Sequence, residues 1–244
     1  MPRLPRFFIS LDHISGTNIR IADEDIRHVV NVLRMKAGNE LLLCDGQGTE
    51  YRTRITVLNK KEVKTEIVTQ TKSELHHPRV TLGQGMPKSD KMDFIVQKAT
   101  ELGAAAVVPL MTERTIVKVK DEERRLARWR KIAREAAMQS NRPDIPLIGP
   151  FASFPDFIAT QNPDSQTLSL LPWEEGTERI KNVLRQNPGV GDIMVLIGPE
   201  GGFSIGEAEA AKNRGFHAVS LGPTILRTET AALAVLSMIG YEFF

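Results

Sequence analysis

The sequence predicts a two-part α/β chain: a small β-rich barrel over residues 1–72, then a larger parallel α/β domain over residues 73–244. Three observations predict it. Apolar and polar residues alternate through Glu50–Leu58, the period of a half-buried strand. After Arg79 the pattern changes to short apolar runs separated by stretches of helical spacing, as in a parallel sheet with crossover helices. Two of those runs end in Gly-Pro turns that feed a helix, and parallel sheets bind ligands at such strand ends.

In the first part, Asp23 is placed to cap a helix reaching Met35, with Ile26, Val29, Val30 and Leu33 at helical spacing. Glu40–Cys44 is an apolar run closed by the turn signal Asp45-Gly46. Tyr51, Thr53, Ile55 and Val57 face one side of the next strand, with Arg52 and Arg54 on the other. Asn59-Lys60-Lys61 turns the chain into Val63–Val68, completing a hairpin. Short strands with one helix suggest a small barrel. Thr69–Pro78 is polar and aperiodic and reads as a linker; His76-His77 within it lacks partners for a metal site.

In the second part, Val80–Leu82, Ala105–Leu110, Thr167–Leu171, Ile193–Ile197 and Ala218–Leu221 read as strands. Lys91–Leu102 is a helix with Met92, Ile95, Val96 and Ala99 on one side and Gly103 ending it. Glu122–Met138 is a basic amphipathic helix burying Leu126, Trp129, Ala133, Ala136 and Ala137. The last helix, Thr228–Tyr241, is apolar nearly all round and must be buried, either centrally or against another subunit.

Composition narrows the function. With 41% hydrophobic and 25% charged residues, the chain has the material for a core, which excludes a disordered protein. Cys44 is the only cysteine, so no disulfide scaffold exists, and a reduced, half-buried thiol is expected. No run reaches the ~18 apolar residues of a membrane helix, and no signal peptide is evident, so a cytoplasmic location is expected. Ten basic and four acidic residues lie between Arg114 and Arg142, against six basic and twelve acidic from Pro143 onward. A basic stripe of this kind can follow nucleic-acid phosphates or form a solvated helix face.

The strongest motif is Ile193–Phe203, IMVLIGPEGGF, where a buried strand runs into a glycine-rich turn. Ser204 and Glu207 have the spacing of a capping box for the helix that follows. The turn lacks the G-x-G-x-x-G of a dinucleotide site. Lys88-Ser89 does not end a phosphate loop, because Leu82 and Pro87 occupy the two glycine positions. An acidic tip, Glu200, repels a polyphosphate, so a neutral or cationic ligand fits better. A second turn, Gly222-Pro223, leads through Arg227 to Thr228, which is placed to cap the last helix. Leu170–Glu174, LLPWE, is a third loop of the same kind.

Together these residues resemble the SPOUT methyltransferases, and in detail the branch that methylates the N3 nitrogen of a uridine in bacterial small-subunit ribosomal RNA. The resemblance spans the chain: RFF at Arg6–Phe8, HVVNVLR at His28–Arg34, QKATELG at Gln97–Gly103, Gln139, Arg142 and Pro146, and the pairing of IGPEGGF with LGPTILRTETA. Met138 and Asn141 depart from the family pattern, where an acidic residue and a glycine are usual. The resemblance implies a PUA-like β-barrel followed by a SPOUT domain with a deep C-terminal trefoil knot, a homodimer, and S-adenosylmethionine as cofactor without a metal. It implies cofactor contacts at Leu171, Pro172, Ile197, Gly198, Pro199, Glu200, Gly201, Gly202, Leu221, Gly222 and Leu226. Arg227 is expected to stabilise charge on the uracil oxygens, and Glu200 or Glu229 to accept or orient the N3 proton. Arg6, Arg34, Lys88, Lys91, Arg114 and Arg142 are the expected contacts to small-subunit ribosomal RNA, free or within an assembled subunit. His28 is expected to be a packed helix residue. A SPOUT enzyme for another RNA site and a non-catalytic RNA-binding assembly factor are the alternatives; the intact glycine turns argue against the second.

Overall fold

The computed structural model describes residues 4–73, 78–160 and 167–243. Backbone contacts divide the chain into two units, Met1–Leu75 with Ala137–Ile145, and His76–Ala136 with Pro146–Phe244.

The first unit carries strands β1 (Arg6–Phe8), β2 (Ile14–Ser15) and β3 (Asn18–Arg20), helix α1 (Asp23–Arg27), and strands β4 (Glu40–Cys44), β5 (Thr49–Leu58) and β6 (Val63–Lys72). They form one six-stranded sheet in the order β1-β4-β5-β6-β3-β2. Its inward face closes on Phe7, Ile19, Ile21, Leu41, Leu43, Tyr51, Ile55 and Val63, all buried. The alternation read in β5 holds through Ile55. Register shifts at Arg52/Thr53 and Ile55/Val57 then turn Val57 outward to 39% exposure.

Three local expectations are corrected. The helix from Asp23 stops at Arg27 and passes into a single wide turn over His28–Val32, where the Leu33 N–H bonds the His28 carbonyl at 2.9 Å. Asp23 does not cap it; its carboxylate pairs with Arg20 at 2.6 Å, and Ala22 occupies the capping position. Strand β6 runs on to Lys72, because pairing with β5 as far as Thr49 overrides the polar sequence of the expected linker. His76 and His77 lie outside the described residues. His28 packs edge-on against the Phe7 ring at 5.6 Å.

Ala137–Ile145 joins the first unit even though the sequence suggests one division after residue 72. Ala137 packs on Phe8 and Cys44, and the Ile145 N–H bonds the Gly46 carbonyl at 3.1 Å. Cys44 is fully buried, and burial pushes its thiol up to about 12, beyond the half-buried state expected.

The second unit begins with β7 (Arg79–Gly85), α2 (Lys91–Glu101), β8 (Ala106–Met111) and α3 (Glu122–Gln139), whose last residues, from Ala137, belong to the first unit. It continues with β9 (Leu147–Ile148), β10 (Ala152–Ser153), α4 (Phe154–Thr160), β11 (Thr167–Pro172), β12 (Glu178–Arg179) and α5 (Ile180–Gln186). It ends with β13 (Asp192–Ile197), α6 (Ile205–Asn213), β14 (His217–Ser220) and α7 (Thr228–Phe243). The eight strands pair only in parallel, in the order β10-β8-β7-β13-β11-β14-β12, with β9 beside β8. Covered on both faces, the central strands read as continuous apolar runs rather than alternating ones. Leu110, Phe154, Leu171, Leu196, Phe203 and Phe216 belong to one buried cluster of this unit. The inward residues expected of α3, Leu126, Trp129, Ala133, Ala136 and Ala137, are all buried. Among the described residues no helix is long and apolar enough to cross a membrane.

Candidate active site

Strands β7, β13, β11 and β14 lie side by side and parallel, so their carboxyl ends open on one edge of the sheet. The turns that leave β11, β13 and β14 line a pocket of about 410 Å³. Its walls are Pro172 and Trp173 from the first turn, Ile197–Glu200 with Gly202 and Phe203 from the second, and Ser220–Thr228 from the third.

The second turn depends on close backbone approach. A Cβ on Gly198 would lie 2.9 Å from the Gly202 carbonyl carbon, and Gly202 sits at φ +68°. Both need glycine. The turn ends where Ser204 caps α6: its hydroxyl accepts the Glu207 N–H at 3.2 Å, and the Glu207 carboxylate accepts the Ser204 N–H at 2.9 Å. The other Glu207 oxygen accepts the Glu113 N–H at 2.8 Å, so the capping box also anchors the loop after β8.

Thr228 does not cap α7 as expected. Its hydroxyl donates to the Gly198 carbonyl at 2.6 Å and accepts from Gln84 Nε2 at 2.9 Å. This buried relay ties the ends of β7 and β13 to the first turn of α7. Sequence reasoning missed Gln84, because a fully buried glutamine inside an apolar strand carries no local signal beyond its polarity.

Eleven of the expected residues meet at this pocket: Pro172, Ile197, Gly198, Pro199, Glu200, Gly202, Leu221, Gly222, Leu226 and Arg227 line it, and so does Lys91, expected as an RNA contact. Leu171 instead turns into the core of the unit, and Gly201 presents its carbonyl to Arg114 Nη1 at 2.7 Å. Glu229 sits in the first turn of α7 behind the lining, where it meets Lys91 at 3.2 Å. Trp173, Phe203, Ser220 and Ala231 also line the pocket.

Glu200 and Glu229 are both held ionised. Burial pushes the Glu200 carboxyl up, but its own backbone N–H, the Lys91 ammonium and the Lys88 N–H outweigh this and hold it below the usual carboxylate range. For Glu229 the same contest of burial against its backbone N–H, Lys91 and Arg227 ends in the same direction. Arg227 is exposed at the mouth of the pocket.

The expected RNA contacts fall into three groups. Lys88, Lys91 and Arg114 surround the Glu200 turn, through the Lys88 N–H at 3.0 Å, the Lys91 ammonium at 3.1 Å and the Arg114 bond to Gly201. Arg34 is exposed on the first unit with φ +49°. Arg6 and Arg142 are turned inward: the Arg6 side chain is 8% exposed, pairs with Glu50 and donates to Cys44 Sγ, while Arg142 pairs with Asp144 at 2.6 Å.

Comparison with known proteins agrees with this architecture. An RNA methyltransferase domain model matches residues 73–240, and an RNA methyltransferase PUA domain model matches residues 21–68. The chain is 32% identical to the ribosomal RNA small subunit methyltransferase E of Bacillus subtilis, over 98% of this chain and 97% of that protein. It is 35% identical to the protein of the same name from Aquifex aeolicus, over 92% and 94%. The crystal structure of ribosomal RNA small subunit methyltransferase E from Neisseria gonorrhoeae, bound to S-adenosyl methionine, superposes with a TM-score of 0.87 at 32% identity, over 98% of each chain. A PUA-like unit followed by a parallel α/β unit, matched along nearly the whole length, places the chain in the RNA methyltransferase family that includes the ribosomal RNA small subunit methyltransferases E.

Proposed function

We propose that this protein uses S-adenosylmethionine to methylate the N3 nitrogen of a uridine in small-subunit ribosomal RNA. The observation that carries the reading is the pocket at the ends of β11, β13 and β14, which joins apolar walls to a carboxylate pair and an exposed arginine. The residues suit this cofactor. Pro172, Ile197, Leu221 and Leu226 offer apolar surface for an adenine ring, and Glu200 in the wall, with Glu229 behind it, offers negative charge for a cationic group. The volume falls within the range of small-molecule sites. When bound, S-adenosylmethionine supplies a methyl group already activated on a sulfonium.

The chain must then orient the uracil and manage its N3 proton. Arg227 stays protonated and stands at the pocket mouth, where it stabilises negative charge on a uracil oxygen as N3 loses its proton. A carboxylate held below its usual range is a weak base, so orienting the base suits Glu200 and Glu229 better than storing its proton. N3 lies on the pairing edge, so the target uridine must be unpaired or splayed from its stack. The exposed Arg34 and Lys88 side chains are assigned to RNA phosphates, which makes binding strongly salt-dependent.

The protein acts as a homodimer in this reading, in the cytoplasm where ribosomal RNA is modified, with the last helix in a trefoil-knotted fold. A groove of about 930 Å³ between α5 and α7, lined by Leu184, Leu221, Ala234, Met238 and Tyr241, offers an apolar face to a second copy. Tyr241 is 87% exposed there. Sedimentation as a dimer at micromolar concentration is expected; a monomer would remove this part of the reading.

Mass mapping of ribosomal RNA from cells lacking the protein tests the function. Loss of one methylated uridine from the small subunit is expected, and restored by the wild-type gene. An unchanged map together with no S-adenosylmethionine binding by calorimetry would favour the assembly factor. Loss of a methyl group elsewhere would reassign the RNA site.

A further inference from the structure

Lys91 is the first residue of α2, and its ammonium lies 3.1 Å from Glu200 Oε1 and 3.2 Å from Glu229 Oε2. The two carboxylates come from different segments, the turn after β13 and the first turn of α7. All three side chains are partly shielded, with exposures of 32%, 28% and 18%. Glu229 Oε2 is buried, and the Lys91 ammonium is the cation paired with it, while Arg227 adds a second positive charge that acts on the same carboxylate. One ammonium is thus shared between the two carboxylates, with Arg227 as the further positive charge beside Glu229.

We propose that Lys91 is a positioning residue of the methyl-transfer site: one ammonium that ties the Glu200 turn to the start of α7 and keeps both carboxylates charged for a cationic cofactor. The inference rests on the S-adenosylmethionine reading. The groups facing the pair are few. Glu200 meets its own N–H, the Lys88 N–H and Lys91; Glu229 meets its own N–H, Lys91 and Arg227. Arg114 binds the neighbouring Gly201 carbonyl, and the exposed Asp90 precedes Lys91. Of these charges, Lys91 is the one that pairs with both carboxylates. Without it the two negative groups share a partly buried site, and one must protonate or swing away.

Lys91 lowers the pH at which each carboxylate takes up a proton. Activity that needs both charges therefore persists further into acid in the wild type than without the lysine.

The test uses the full-length protein, S-adenosylmethionine and small ribosomal subunits. Lys91→Met is expected to move the acidic limb of kcat/KM upward by about one pH unit and to weaken cofactor binding about tenfold. Lys91→Arg keeps the charge and is expected to return the limb toward its wild-type position. A Lys91→Met limb and affinity that match wild type overturn the inference. If Lys91→Met does not fold, NMR titration of the wild-type ammonium decides: it titrates above the ordinary lysine range, and Glu229→Gln lowers it. A Lys91 that titrates like a free lysine overturns the inference. Wild-type protein that binds no S-adenosylmethionine overturns the functional reading itself, and the Lys91 inference with it.

Discussion

Gly85→Ala is expected to weaken S-adenosylmethionine binding about tenfold to a hundredfold while leaving the protein folded. Gly85 ends β7, and a Cβ there would lie 2.7 Å from both the nitrogen and Cδ of Pro199 and 2.9 Å from the Gly198 carbonyl carbon. Those atoms belong to the turn after β13, which the capping box at Ser204 and the Thr228 hydroxyl hold at both ends. Something must shift to admit the methyl group, and the turn it would press on lines the pocket. Overpacking of this kind costs about 1–3 kcal/mol, and each ~1.4 kcal/mol is tenfold in affinity. Gly206→Ala is the control, because its Cβ would meet only the Ser204 hydroxyl at 3.8 Å, inside a helix that favours alanine. Calorimetry with both variants, alongside thermal unfolding, checks the expectation. Wild-type affinity in Gly85→Ala would mean that the β7 and β13 turns do not shape the cofactor site.

Arg227→Ala is expected to cut turnover by about a hundredfold to a thousandfold, the usual loss when one preorganised donor to a developing anion is removed. Cofactor affinity should change less than turnover, because Arg227 is exposed at the mouth of the pocket while apolar surface comes from Pro172, Ile197, Leu221 and Leu226. Arg227→Lys should recover part of the rate, since a point charge replaces a planar fork of donors. Single-turnover methylation of small subunits, with binding measured separately, distinguishes the two effects. Unchanged turnover in Arg227→Ala would take this arginine out of the chemistry.

Much of the second unit is legible because its signals are local. Buried parallel strands announce themselves as apolar runs, and Ser204 with Glu207 forms the capping box its spacing implies. The inward face of α3 follows helical periodicity residue by residue. The pocket was legible too, since its glycines and prolines sit directly after those strands. Local signals failed where long-range pairing or side-chain competition took over. Strand β6 extends through a polar segment because β5 lies beside it to be paired. Asp23 and Thr228 both look like helix caps in sequence, but the Asp23 carboxylate pairs with the Arg20 guanidinium, and the Thr228 oxygen accepts from Gln84 Nε2 while its proton goes to the Gly198 carbonyl.

The charged residues show the same division. Arg6 and Arg142 look in sequence like any surface cations, and packing turns both inward to ion pairs within the first unit. Lys91 looks like an RNA contact, and the sheet order brings it to two carboxylates distant in sequence.

What the sequence by itself determined is the succession of strands, helices and glycine turns, and through their motifs the family. Those follow from periodicity, capping and backbone freedom, which act over a few residues. Tertiary structure alone decided which charges face one another and which are silenced by burial. It set β7 beside β13 and α2 beside α7, and electrostatic roles depend on distances across those junctions that no run of neighbouring residues encodes.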